Sequence, residues 1–129
     1  MEKLIIHEFR AEDTPERTEF LGKFLQLTVR GREHLLFAPS DLHGFHNQIL
    51  GQFLAEAGIP HRWVEHDRLK VDFPALSVIG GGRYRLNAPR STLELWGSSQ
   101  AYGRFDPAGL VEKIARADHP WGALTIVVK

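Results

Sequence analysis

The chain contains no cysteine. That excludes a disulfide framework, a thiolate nucleophile and a Cys-based zinc site, and it fits a reducing, cytoplasmic setting. It also lacks an excess of either charge, because 16 Lys and Arg are balanced by 16 Asp and Glu. Without a basic surplus a dedicated nucleic-acid binder is not expected, although a local cationic patch stays open. Long apolar runs are missing too. No stretch approaches the roughly 20 residues of a membrane span, and the apolar part of MEKLIIHEFR is too short and too charged for a signal peptide. There is no internal repeat, low-complexity segment or linker in the 129 residues. A single domain over 1–129, with neither nucleic acid nor membrane as partner, is the expectation.

What is present reads as short strands around two helices. Residues 4–9 form an apolar strand, followed by the polar loop AEDTPERTE. GKFLQLTVRG, residues 22–31, alternates: Leu25, Leu27 and Val29 share one face, while Gln26 and Thr28 take the other. RGRE turns the chain into a partner strand, HLLFAP. Ser40 or Asp41 can cap a helix that Gly58 and Pro60 end. HRWVEHD is a further strand candidate, and HDRLKVDFP reads as an irregular connection. ALSVIG is a strand running into GGR, and STLELWGSS alternates again. Asp106 and Pro107 open a second helix reaching about Asp118, and ALTIVVK is the last strand. This order predicts an α/β chain of the α+β type, with one mixed sheet of about six strands flanked by two main helices.

Against that pattern a few polar residues stand out. At 100° per residue, Leu42, Phe45, Ile49 and Phe53 make the inward stripe of the first helix, widened by Leu50 and Leu54. His46 falls inside the stripe and His43 at its margin. A lone histidine there is more often a hydrogen-bonded core residue than a reagent. Near a helix N-terminus, however, it would be a neutral base at pH 7. The i, i+3 spacing of His43 and His46 admits a metal pair, but no HExxH accompanies it and Asp41 suits capping better, so no metal is expected. Lys23 continues the Leu25, Leu27, Val29 row and so points to the core face, unless it snorkels from a frayed end.

Two loops complete the candidates. GGGR at 80–83 reads as a strand end whose glycines give φ > 0 freedom and close backbone approach, with Arg83 supplying a fork for phosphoryl oxygens. Plain turns and bulges use Gly-Gly as well. WGSSQAYG at 96–103 can present Ser99 and backbone N–H groups to an anion, or be a turn with Tyr102 packed on the core.

GGGR, followed by WGSSQAYG, a helix and a final strand, resembles the Janus/ocnus family of phosphohistidine phosphatases. Its members carry a GGGR run and a G-x-S-x-A-Y-G segment in this order. GKFLQLTV resembles the family's lysine-bearing strand, and GFHNQIL its aromatic-His helix start. The resemblance spans about residues 22–129, more firmly after 78. It implies a metal-independent, cofactor-free hydrolase acting on a phosphorylated nitrogen, phosphohistidine or phospholysine, in a phosphorylated protein or a small phosphoramidate. His46 takes the position of the catalytic histidine. Lys23, Gly81, Gly82, Arg83, Ser99 and Ala101 take the positions of the phosphate-binding groups. The chain departs from the family at the added 4–9 strand, the longer stretch His61 to Pro74, Phe45 where tyrosine is common, and Asn47 and Gln48. The alternative expectation is a non-catalytic phosphate- or phosphoprotein-binding module on the same fold.

Overall fold

The computed structural model describes residues 3–10, 18–65 and 68–129. The loop expected at 11–19 falls largely outside them. Strands β1 (Ile5–Glu8), β2 (Glu19–Val29) and β3 (Arg32–Pro39) precede helix α1 (His46–Ala57). Then follow β4 (His61–Val64), β5 (Arg68–Val71), β6 (Leu76–Asn87), β7 (Thr92–Trp96), α2 (Leu110–Arg116) and β8 (Thr125–Val128). Six strands form one mixed sheet in the order β1-β3-β2-β6-β7-β8. The inner strands pair antiparallel, while β1 joins β3 and β8 joins β7 in parallel. The α+β sheet with two helices is therefore present. No helix is long and apolar enough to cross a membrane among the described residues.

The strand period of two sorts side chains onto two cores. Phe20, Phe24, Tyr84, Leu86, Leu93 and Leu95 face α2, whose Leu110 and Ile114 join them. Leu25, Leu27, Leu36 and Ala38 face the other way, onto Ile49, Leu50, Phe53 and Leu54 of α1. Fully burying one such side chain stabilises by roughly 1.5–3 kcal/mol, so each helix is held mainly by its apolar stripe. Gly58 closes α1 in the left-handed conformation, φ 69°, with its N–H on the Ala55 carbonyl.

Four expectations change. HDRLKVDFP is not irregular, because Arg68–Val71 pairs antiparallel with β4 as a two-stranded ribbon. The α1 cap is neither Ser40 nor Asp41: the helix begins at His46, and Gln48 Oε1 reaches back to accept from the N–H groups of Gly44 and Phe45. Phe45 has extended φ/ψ and leaves the stripe, being 63% exposed. α2 starts at Leu110, not at Asp106, whose carboxylate accepts from the Ala108 N–H in the preceding turn.

His7 and His34 form a second histidine pair between β1 and β3, beneath Phe53 of α1. Their Nε2 and Nδ1 atoms are 2.9 Å apart, so one ring donates and the other, which must be neutral, accepts. Burial lowers both pKa values. That of His34 falls from 6.5 to about 4, with His7 and Arg32 adding to the effect. The unfolded chain thus takes up protons at a higher pH than the folded one, and stability falls as pH drops from 6.5 toward 4. Replacing His34 with Gln should flatten that slope in unfolding midpoints measured across this window. An unchanged slope would remove the pair as its origin.

Candidate functional site

An open cleft of about 800 Å³ lies where the N-terminus of α1 meets β2, β6 and the loop after β7. Lys23, Phe45, His46, Asn47, Arg83, Ser98, Ser99, Gln100 and Ala101 line it. Five of the seven residues marked in the sequence are thus brought together. A larger groove of about 1280 Å³ lies elsewhere, near the β2–β3 turn and α2. There Lys113 pairs with Glu33 at 2.8 Å, and Glu112 sits among the cations of its wall. Size alone does not choose between the two. The kind of lining does, because the smaller cleft has no carboxylate and holds the buried His46.

Gly81 and Gly82 serve differently from the roles expected of them. The run 80–82 is the middle of β6, not a strand end, and none of its members has positive φ. What the positions require is the absence of a Cβ. At Gly80 it would lie 2.2 Å from the Arg104 carbonyl oxygen, and at Gly82 2.5 Å from that of Trp96. At Gly81 it would meet His46 Cδ2 and the Phe24 carbonyl oxygen, both at 2.7 Å. The Gly81 N–H is not offered to the cleft either, since it donates to the Gly103 carbonyl at 3.0 Å.

The imidazole occupies the room so made. His46 is the first residue of α1 and 6% exposed, and its Nε2 lies 3.0 Å from the Gly82 carbonyl oxygen. A carbonyl only accepts, so Nε2 carries the proton and Nδ1 the lone pair. The pKa of His46 is lowered from 6.5, burial being the largest cause, with Lys23 and Arg83 pushing the same way. The Gly82 and Phe24 carbonyls oppose the shift. Burial, more than the helix end expected to act, keeps this histidine neutral at pH 7. Its neighbour His43 bonds Gln52 Oε1 at 2.6 Å and does not line the cleft.

Lys23 and Arg83 are cross-strand partners on β2 and β6. Like charges directly opposed on antiparallel strands destabilise, by roughly 0.2–1 kcal/mol. Neither residue has a carboxylate partner among the described residues. Lys23 does not snorkel away: its Nζ donates to the Gly44 carbonyl at 2.7 Å, holding the segment that presents Phe45 and His46. In the facing loop Ser99 is 4% exposed and its Oγ accepts from the Tyr102 N–H at 3.1 Å. Ser99 and Gly103 exchange two backbone hydrogen bonds, at 2.9 and 2.8 Å, which tighten the loop around the exposed Ala101. Tyr102 is half-buried against the α1-side core, as the turn reading expected. An anion is the ligand that two opposed cations without a carboxylate fit.

Sequence reasoning missed Asn47, Ser98 and Gln100 as lining residues and placed Phe45 in the core. Adjacency to His46 and Ser99 was the one signal available for the first three. No family model matches the chain, and no curated protein matches it significantly.

Gly81→Ala should displace the His46 ring, because the Phe24 carbonyl on the other side is backbone and cannot move aside. A loss of about 1–3 kcal/mol in chemical unfolding is expected, with a shifted His46 imidazole resonance in NMR. A variant with unaltered stability and unaltered resonance would show that the ring does not rest on Gly81.

Proposed function

We propose that this chain is a metal-independent phosphatase that hydrolyses a phosphorylated nitrogen. The observation that carries the reading is the opposed Lys23 and Arg83 beside a neutral, buried His46. The resemblance of GGGR and WGSSQAYG to the Janus/ocnus family supports it from the sequence side. Lys23, Arg83 and the Ser99–Ala101 loop hold the phosphoryl oxygens and stabilise the charge spread over them in the transition state. His46 Nδ1 then takes a proton from the attacking water. If it instead attacks phosphorus, a phosphohistidine intermediate forms on His46 and is hydrolysed in a second step. Phosphate trapped on His46 during turnover favours the second route, and full activity without it favours the first. Gly82 acts through its carbonyl, which fixes the tautomer. The phosphoryl donor is a phosphorylated protein or a small phosphoramidate, and the absence of cysteine suits a cytoplasmic setting.

Phosphoramidate hydrolysis with chelator present, combined with phosphate titration, tests the reading. His46→Ala should abolish turnover, with a loss of about a thousandfold or more. His43→Ala should keep most of it. Arg83→Ala should weaken phosphate binding without loss of stability, since it also relieves the repulsion with Lys23. Equal losses from both histidine variants, or a strict need for added metal, would count against the proposal. Phosphate binding with no turnover by the wild-type chain would leave the binding-module alternative in its place.

The pH profile carries a separate expectation. Activity needs neutral His46, whose pKa lies below 6.5, so the acidic limb of kcat/KM should fall below pH 6.5. Lys23→Met removes a nearby positive charge and should move that limb upward. A limb that stays in place would show that His46 is not the titrating group.

A further inference from the structure

Phe45 is the most exposed large apolar side chain among the described residues, at 63%. It stands at the N-cap of α1, where Ser, Thr, Asp or Asn would bond the first turn, and it makes no such bond. Gln48 Oε1 ties the entry to the helix instead, accepting from the Gly44 and Phe45 N–H groups. Neither the helix nor the core gains from the phenyl ring. A residue that breaks local preference without a structural return is where function is to be sought. The ring lies on the wall of the cleft beside His46, with the Lys23 ammonium 5.4 Å from its centroid.

We infer that Phe45 determines specificity by stacking the flat, nitrogen-containing ring of the leaving group. This rests on the phosphatase reading above and narrows it. In the hydrolytic step the water oxygen bonds to phosphorus and its proton passes to His46 Nδ1. The P–N electron pair returns to the leaving nitrogen. An imidazole whose other nitrogen already carries a solvent proton departs as a neutral ring. Before departure the charge of that ring is offset by the phosphoryl oxygens bonded to it, and its flat face stacks on Phe45. A lysine amine is far more basic, with a pKa near 10.4 against roughly 6.5 for imidazole. It would end as an ammonium in a cleft that already holds Lys23 and Arg83 and offers no carboxylate. An alkylamine donor is therefore the poorer substrate, and the aromatic ring of Phe45 is the group that tells the two apart.

The test measures kcat/KM of the wild-type chain, Phe45→Leu and Phe45→Tyr on phosphohistidine, N-phospholysine and phosphoramidate, which carries no ring. Wild type should prefer phosphohistidine over phospholysine. Phe45→Leu should lower the phosphohistidine-to-phosphoramidate ratio about tenfold, mainly through KM. Phe45→Tyr, which keeps the ring, should hold the wild-type ratio. Parallel losses on phosphohistidine and phosphoramidate would mean that Phe45 only shapes the helix start, and would overturn the inference. So would a ratio that Leu leaves unchanged or that Tyr fails to preserve. A wild-type chain inactive on all three compounds removes the phosphatase reading and this inference with it. That result is visible in the wild-type measurements alone.

Discussion

An imidazole ring can lie against the backbone of a β-strand only where the strand carries no side chain to keep it off. In this chain that constraint is met at Gly81, and the rest of the cleft follows from it. With the His46 ring seated there, its Nε2 reaches the Gly82 carbonyl at 3.0 Å, and the tautomer is settled by a group that can only accept. The same seat buries the ring and keeps it neutral. It also positions the start of α1, so that the residue before the helix projects into solvent at the rim. One missing Cβ therefore ties a strand, a helix N-terminus and a protonation state together.

The charges are arranged around this ring by strand pairing rather than by loops. Lys23 and Arg83 face each other because β2 and β6 are in register, and hydrogen-bonded strands do not let the two heads part by moving the backbone. Their repulsion is small beside the stability of the sheet, which is why the sheet tolerates it. It is large enough to bias what binds. The broader groove near α2 has more lysine and arginine, yet Glu33 and Glu112 lie among its cations. What separates the two hollows is the lack of any carboxylate beside Lys23 and Arg83, more clearly than volume does.

Much of this was legible in the residues. The alternation from Lys23 to Val29 placed Lys23 on the core face with Leu25 and Leu27, and helical spacing turned His46 inward, because both periods hold wherever the element is regular. Phe45 was misplaced for the same reason: one residue before the helix its backbone is extended, and the 100° step no longer applies. The actual N-terminus was hidden because capping comes from Gln48, inside the helix, while Ser40 and Asp41 look like better caps. The glycines drew notice for conformational freedom they do not use. Their real constraint is steric, set by Arg104, His46 and Trp96, none of which is near them in sequence. β5 does alternate, Leu69 and Val71 packing on the α1-side core, but four residues are too short a run to tell a strand from a loop without its partner β4.

The pairing of β2 with β6 has a kinetic consequence. It joins segments separated by α1 and the β4–β5 ribbon, so the chain must close a long loop before the pair gains any hydrogen bond. Until it closes, Lys23 has no Arg83 opposite it and His46 has no glycine to rest on. The β6–β7 hairpin alone carries Arg83 and the loop 98–101, but no local fragment joins them to Lys23 and His46. A ligand of this cleft therefore recognises only the fully assembled sheet, and its binding draws on the whole folding equilibrium instead of on any one part of it.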